Sequence, residues 1–252
     1  MKNKNMQMNL KRMAQRSAFF LAMALGTSAF ADVYWNNNNG TAPGGDRNWA
    51  NAANWIGGLP SAPSAGSAIV KPWYTTATYP IVSTTGNTAN QIYIDANASL
   101  DIVGGGGLSA TDLVTGIYGN SGMVTVSGGS LNLSGYLNMG AGGFDGDVSI
   151  SGGTIETINL TFNAASGSTL DLSGIGSFVA PTAGNLSNIG YWINSSHNIT
   201  AYGGAAGWSI NQDTTTRPGY VILTAVAVPE PSTLAMVGLS LGILGLISRR
   251  RS

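Results

Sequence analysis

The chain has 252 residues with 11 basic and 11 acidic side chains, and it contains no cysteine. These numbers exclude a fold braced by disulfides and a zinc site built on thiolates. Only 9% of the residues are charged and 36 are glycine, so the composition disfavours helices and favours short strands joined by turns.

The first 31 residues have the organisation of a secretory signal peptide. Five basic residues precede an uncharged apolar segment, 17–29, and Ala29 and Ala31 supply the small side chains of a cleavage site. We therefore expect cleavage after Ala31. The alternative is an N-terminal transmembrane anchor, which is disfavoured because the apolar segment is short and no charged stop follows it.

Between its terminal segments the chain is acidic. Three basic residues, Arg47, Lys71 and Arg217, stand against ten acidic residues between Asp32 and Asp213, so this part has a net charge of about −7. Such a charge disfavours binding to nucleic acid or to anionic lipid through a basic patch. We expect no nucleic-acid partner.

The N-terminal part of this body, 32–95, is rich in asparagine and contains Trp35, Trp49 and Trp55. Its pattern Asn-Trp-x-x-x-x-Asn-Trp at 48–55, followed by Gly-Gly-x-Pro, resembles the module that precedes β-helical repeats in autotransporter-like proteins. Two interpretations of the tryptophans stay open. They form a hydrophobic plug that caps the following domain, or they are exposed and stack on sugar rings, which would indicate a carbohydrate-binding surface module.

A repeat of 22 to 24 residues occupies the middle of the chain, 96–180. Each unit has a run of alternating apolar and polar residues, a glycine pair or cluster, and a second apolar run. The units begin at Leu100, Val124, Val148 and Leu170. A period of this length is typical of solenoids, in which each unit stacks on its neighbours to bury its apolar face.

Within one unit, the side chains of Val124 and Val126 point to one side and that of Thr125 to the other. Two short strands joined at a glycine bend, with a third strand at 136–139 or 160–162, make up one coil. The sequence therefore predicts an all-β protein, a short right-handed parallel β-helix with a cap at each end. An antiparallel β-sandwich of hairpins is the alternative, which the constant repeat length disfavours.

The segment 181–227 is predicted to form the last strands and the C-terminal cap, because an open coil exposes unpaired strand edges. Apolar runs that we interpret as strands lie at 191–193, 199–202, 208–210 and 219–226.

Residue sets for catalysis or metal binding are scarce. His197 is the only histidine and has no acidic neighbour in sequence, which disfavours a catalytic triad or a zinc site. Asp145 and Asp147 form the one close acidic pair, a weak candidate for a hard cation and by default a solvated corner between coils. We expect no catalytic residues, no cofactor and a non-enzymatic protein.

Threonines cluster outside the repeats, while Thr125 is followed one period later by Ser149. Ice binding requires ranks of threonine on a flat face, so it is a less favoured alternative. A polysaccharide-active enzyme is also a less favoured alternative. Cleavage of a polysaccharide by a β-helical lyase needs a basic residue near the broken bond, and the available ones, Arg47, Lys71 and Arg217, all lie outside the clear repeats.

The C-terminal segment, 228–252, consists of a Pro-Glu-Pro motif, an uncharged apolar run and three arginines, Arg249, Arg250 and Arg251. At 1.5 Å per residue, a helix over the run 232–248 is about 25 Å long, which reaches the lower limit of a membrane span. The arginines are typical of the cytoplasmic end of such a span. We therefore expect a single C-terminal transmembrane helix.

This segment resembles the PEP-CTERM sorting signal of Gram-negative bacteria, also named an ice-binding protein C-terminal domain. The motif residues are Val228, Pro229, Glu230, Pro231 and Ser232. The resemblance implies an exosortase-type membrane protease as partner, processing near the motif and at least transient membrane anchoring. We expect an exported structural or adhesive protein of the cell envelope or the exopolysaccharide matrix of a biofilm, with the exopolysaccharide as a candidate partner.

Overall fold

The structure is a computed structural model and describes residues 32–36, 46–61, 66–71, 79–117, 120–163 and 166–228. Its strands, in chain order, are β1 (Val33–Trp35), β2 (Trp55–Ile56), β3 (Ser67–Val70), β4 (Ile81–Val82), β5 (Asn87–Thr88), β6 (Gln91–Ile94), β7 (Ser99–Ile102), β8 (Gly107–Ala110), β9 (Asp112–Thr115), β10 (Gly122–Val126), β11 (Ser130–Met139), β12 (Gly146–Ile150), β13 (Thr154–Phe162), β14 (Leu170–Leu172), β15 (Ser177–Pro181), β16 (Ile199–Ala201), β17 (Trp208–Asp213) and β18 (Tyr220–Ala227). A nine-residue helix, α1 (Leu186–Asn194), precedes β16.

Parallel strands stack into three faces of a β-solenoid. Face 1 is a six-stranded sheet of β4, β7, β10, β12, β14 and β16. Face 2 contains β5, β8, the first halves of β11 and β13, and β15. Face 3 contains β1, β3, β6, β9 and the second halves of β11 and β13. Each coil passes through the faces in this order, and about four coils are complete.

The sequence repeat coincides with the stacking of the coils. In face 1, Val124 lies opposite Leu100 on one neighbouring strand and opposite Val148 on the other, and Val148 lies opposite Leu170. The repeat starts are therefore adjacent in space, and all these pairs are parallel. The β-helix prediction is confirmed and the sandwich of hairpins is wrong, while the right-handed sense of the coil stays a prediction.

Glycine is required at the corner between faces 1 and 2. A Cβ atom added to Gly129 would overlap the carbonyl oxygen of Gly106, and one added to Gly153 would overlap that of Gly129. The corners of successive coils therefore pack backbone against backbone. This close approach explains why the repeated Ser-Gly-Gly corner recurs with the same spacing as the strands.

The core consists of aliphatic side chains that stack from coil to coil. In face 3, Leu113, Leu137 and Leu160 lie on adjacent strands and are at most 2% exposed. Burial of each such side chain stabilises the fold by about 1.5–3 kcal/mol. One unit alone could not bury its apolar face, so the coils stabilise each other.

The parallel stack extends beyond the predicted repeat region on its N-terminal side. Strand β6 pairs in parallel with both β3 and β9, although 91–94 lies before the first repeat at Leu100. The sequence pattern is weaker there because the corner of this coil, 83–86, reads Ser-Thr-Thr-Gly and lacks the glycine pair. Strand β1 continues face 3, and β2 adds to it antiparallel.

At the C-terminal end, β15 pairs antiparallel with β18, which in turn pairs antiparallel with β17. The strands predicted at 199–202, 208–210 and 219–226 are confirmed as β16, β17 and β18. The strand predicted at 191–193 is wrong, because these residues lie in α1.

Helix α1 occupies the chain position at which the preceding coils have a face-3 strand. Ile189 is buried, and Trp192 and Ile193 pack against the core from the same side of the helix. Their spacing of three and four residues is helical rather than alternating. No helix among the described residues is long and apolar enough to cross a membrane, and the predicted span 232–248 lies outside them.

Candidate functional site

The three N-terminal tryptophans form one buried cluster. The ring of Trp55 packs edge-to-face against Trp35 at 5.2 Å and against Trp49 at 4.7 Å between ring centroids. The three residues are 0–5% exposed and belong to the hydrophobic core. The indole Nε1 of Trp55 donates a hydrogen bond to the carbonyl oxygen of Trp49.

The asparagines of the same motif organise the loop through Asp46. The buried Asn54 donates through Nδ2 to the Asp46 carboxylate at 2.9 Å and to the Asn48 carbonyl oxygen at 3.1 Å. Asp46 also accepts from the backbone N–H of Asn48. These bonds, that from the Asn54 side chain above all, hold the pKa of Asp46 below its usual range. Sequence reasoning identified the tryptophans but missed Asp46.

Glycan stacking at Trp35, Trp49 and Trp55 is wrong in this structure. Stacking on a sugar requires one exposed ring face, and the rings are used instead for packing against each other and the core. Trp35 lies in β1 and Trp55 in β2, at the N-terminal end of the coils. This place agrees with the alternative interpretation of the tryptophans as a hydrophobic plug.

Asp145 lies in the turn before β12 and Asp147 lies within β12, and both hold the next coil in place. Asp145 accepts a hydrogen bond from the backbone N–H of Gly167 at 2.6 Å. Asp147 accepts from both the backbone N–H and the hydroxyl of Thr169, at 3.1 and 2.8 Å. No group of three potential metal-ligating side chains occurs among the described residues. These carboxylates therefore act as hydrogen-bond acceptors between coils.

Face 1 does not carry a rank of threonines on its outer side. Thr125 lies beside Ser149, as its spacing predicts, but acidic residues occupy the same row at Asp101 and Asp171. Asp171 accepts hydrogen bonds from the Thr200 hydroxyl and from a backbone N–H. The row is therefore mixed and partly charged. His197 is exposed in the turn that precedes β16.

A shallow groove runs across the outer side of face 2 and encloses about 470 Å³. Thr88, Ser109, Asn132 and Glu156 line it as one row, since each lies opposite the next on adjacent parallel strands. The spacing between such neighbours is about 4.8 Å. The other lining residues are Ala89, Ala110, Thr111, Leu133 and Ser134. The row has uncharged hydroxyl and amide groups at three positions and a carboxylate at one end.

At the charged end of this groove, Glu156 is held in an ion pair. Arg217, in the loop between β17 and β18, donates two hydrogen bonds to Glu156. This pairing raises the pKa of Arg217 above its usual range. The guanidinium group also lies 3.5 Å from the ring centroid of Tyr220. The groove was not predicted, because its residues are ordinary strand positions that only the coil register brings into line.

The last described strand runs directly into the predicted sorting motif. Strand β18 ends at Ala227, which lies opposite Trp208 of β17. The backbone N–H of Val228 still donates to the Gly207 carbonyl oxygen at 2.8 Å, so the hairpin is hydrogen-bonded up to the residue before Pro229. Val228 itself is 46% exposed.

The family model described as the PEP-CTERM protein-sorting motif matches residues 227–251. The chain carries a PEP-CTERM sorting motif. The motif implies export, passage through the membrane and sorting by an exosortase, a membrane enzyme, to the cell surface. Its first residue, Ala227, is also the last residue of β18. No match was found among curated proteins or among solved structures.

Several predicted site residues lie outside the described part of the chain. They are the signal-peptide residues Ala29 and Ala31, the motif residues Pro229, Glu230, Pro231 and Ser232, and the stop residues Arg249, Arg250 and Arg251. Cleavage after Ala31 and the predicted domain boundaries therefore stay predictions.

Proposed function

We propose that the protein is a non-enzymatic structural or adhesive component of the cell envelope or of the exopolysaccharide matrix, delivered there by its PEP-CTERM motif. The observation that carries this proposal is the match of the motif to residues 227–251, which gives the route of delivery. In this proposal the run 232–248 forms a transmembrane helix until the exosortase acts near Pro229.

The fold supports a structural role. A solenoid with a stacked aliphatic core presents long, regular outer faces on a rigid scaffold. Its acidic side chains on face 1 and at the coil corners are engaged in hydrogen bonds between coils, as at Asp147 and Asp171. These carboxylates contribute to holding the solenoid together, a use that does not require a substrate.

The proposal is tested by the intact mass and both termini of the protein recovered from envelope and medium fractions of the producing cell. We expect a chain that starts at Asp32 and ends near Pro229, found at the surface or in the matrix. A chain that keeps Arg251 and stays in the membrane fraction would show a tail-anchored protein and overturn the matrix part of the proposal. A chain that keeps both ends in the cytoplasm would overturn the whole of it.

A carbohydrate-binding surface module is the second candidate, and the groove on face 2 favours it. Three neighbouring side chains, Thr88, Ser109 and Asn132, offer hydroxyl and amide groups at the spacing of successive strands. A hydroxyl-rich polymer could bind along such a row without charge pairing. The buried tryptophans have no part in this candidate.

The second candidate is tested by binding to the exopolysaccharide of the producing cell. We expect Asn132→Ala to weaken binding at least about tenfold, because loss of the amide group would leave buried polar groups of the glycan unpaired. The matched control is Thr125→Ala, which removes an outward polar side chain from face 1 instead. Equal binding by both variants and the unaltered protein, or no binding at all, would exclude this groove as a glycan site.

A further inference from the structure

An exposed surface without charged side chains lies at the end of the C-terminal hairpin. It consists of Tyr202, the loop 203–207, Trp208 and the strand end 226–228, which we call the junction patch. Loop residues 203–207 are glycine and alanine and all are exposed. Trp208 is 39% exposed and Val226 37% exposed.

The parts of the junction patch form one continuous surface. The rings of Tyr202 and Trp208 lie 3.9 Å apart between centroids, tilted by 33°. Trp208 lies opposite Ala227 on the neighbouring strand, and the Gly207 carbonyl oxygen accepts from the N–H of Val228. The aromatic pair therefore lies directly beside the last residues before the sorting motif.

The chain length fixes how far the junction patch can be from the apolar tail. Three residues separate Val228 from Ser232, where the apolar run begins, so four residue steps join them, and a fully extended chain spans at most about 3.6 Å per step. The end of β18 therefore lies within about 14 Å of the start of this run. Each headgroup layer of a bilayer is about 5–8 Å thick. When the run is in the bilayer, the patch lies at or close to the headgroup layer.

The chemistry of the patch suits this layer. Tryptophan and tyrosine are enriched at the membrane–water interface because an apolar ring and one polar group match its two sides. Asp171, which accepts from the N–H of Gly203 and the hydroxyl of Thr200, is the acid in contact with the loop. The negative charge of Asp171 is thus compensated by hydrogen-bond donors of the protein itself. The junction patch contains no charged side chain.

We propose that the junction patch docks into the lipid headgroup layer on the outer side of the membrane while the sorting tail is uncut. This inference rests on the proposed transmembrane anchoring of the tail and adds a second contact, made by the folded body. The tail holds the patch at the bilayer, and the Tyr202–Trp208 pair and the strand end contribute interfacial contacts. Docking orients the body and keeps the motif at the membrane surface, where a membrane-embedded protease acts.

The test uses single cysteine labels on the uncut protein, from Asp32 to Ser252, in phosphatidylcholine vesicles. The chain has no cysteine of its own, so each introduced residue is the one labelling site. Ala205→Cys places an environment-sensitive fluorophore in the junction patch. Thr215→Cys is the matched control, because it lies in the exposed loop at the other end of the same hairpin. The two loops are about 17–20 Å apart along β17.

We expect the protein to float with the vesicles. A lipid that carries a spin label near its headgroup should quench the fluorophore at position 205 at least about threefold more than the fluorophore at position 215. Trp208→Ala should reduce the quenching at 205 to about half or less. Tyr191→Ala, which removes an exposed aromatic side chain from α1 instead, should leave it unchanged.

Three results would overturn the inference in distinguishable ways. If the protein floats but quenching at 205 and 215 is equal, the transmembrane anchor stands and the docking surface is excluded. If the protein does not float, both the anchor and the docking surface are excluded. Quenching that appears only in native membranes, and not in lipid vesicles, would assign the patch to a protein partner and overturn the lipid assignment.

Discussion

Arg217 and Glu156 are 61 residues apart in sequence and form a bidentate ion pair, with Nη1 and Nη2 of the arginine 2.9 and 2.8 Å from the two carboxylate oxygens. The pair connects the loop of the C-terminal hairpin to β13 of the last complete coil. It therefore adds a side-chain attachment of the cap to β13, beside the backbone pairing of β18 with β15.

Removal of either partner should weaken this attachment. Because the side chains are 41% and 36% exposed, water and salt screen the pair and we expect a small loss of stability from Arg217→Ala. Arg217→Lys keeps the charge but not the two parallel hydrogen bonds, so it should recover only part of the loss. A double-mutant cycle with Glu156→Ala by denaturant unfolding measures the coupling. A coupling of zero at low salt would contradict the assignment.

Leu137→Ala should destabilise the protein by about 2–5 kcal/mol, because it removes buried methyl groups and leaves a cavity between two coils. Leu137 is 0% exposed and stacks between Leu113 and Leu160. The control is Tyr136→Ala in the same strand, since Tyr136 points outward and is 50% exposed. Denaturant unfolding of both variants checks the difference. A similar cost for the two would contradict the assigned register of face 3.

The repeat predicted this core because alternation and period are local properties of the sequence. Val124 and Val148 occupy equivalent places in units 24 residues apart, and that spacing alone brings them side by side. The same reasoning failed at Tyr191, where the coil is replaced by a helix that covers the end of the stack. The repeat pattern is absent there, and Ile189, Trp192 and Ile193 instead follow a helical spacing that packs them against the core.

The functional surfaces were less predictable than the fold. The groove depends on the register that aligns Ser109 with Asn132, and the sequence does not state which outward residues lie over an open space. The exposure of tryptophans was likewise undecided, because a core plug and a sugar platform use the same residue type. The sorting motif could be identified from sequence because its function depends on a linear order of residues.

Gly153→Ala should destabilise the protein by about 1–3 kcal/mol, since the added methyl group forces apart two stacked corners. The methyl group would overlap the Gly129 carbonyl oxygen and approach a side-chain carbon of Val126. Gly104→Ala is the matched control, because no atom lies within 4 Å of the position of its added Cβ. Thermal and denaturant unfolding compare the two, and an equal effect would contradict the close stacking of the corners.

Trp55→Phe and Trp49→Phe remove the same number of atoms from the N-terminal cluster but differ in hydrogen bonding. The Nε1 of Trp55 donates to the Trp49 carbonyl oxygen, whereas the Nε1 of Trp49 is buried without a partner among the described residues. Trp55→Phe should therefore cost about 1 kcal/mol or more beyond the cost of Trp49→Phe. Denaturant unfolding measures both, and a larger cost at Trp49 would reverse the assignment.

Asp213 ties the loop between β17 and β18 to the end of β17, and its stabilising effect should depend on pH. Its carboxylate accepts hydrogen bonds from the hydroxyl and backbone N–H of both Thr216 and Thr215. These bonds, the one from the Thr216 hydroxyl above all, hold the pKa of Asp213 well below its usual range.

A lowered pKa in the folded state means that the ionised form stabilises the fold. This contribution is complete above the ordinary pKa of an aspartate, about 4, and is lost as the pH falls through the lower pKa of the folded state. Asp213→Asn should therefore be less stable than the unaltered protein at pH 7, and the difference should shrink as the pH falls from about 4 towards 2. Unfolding curves across this range measure it. Thr216→Val keeps the carboxylate but removes one hydrogen-bond donor, so it should reproduce part of the loss of stability. If the stability difference between Asp213→Asn and the unaltered protein stays constant with pH, the role of the charge is contradicted.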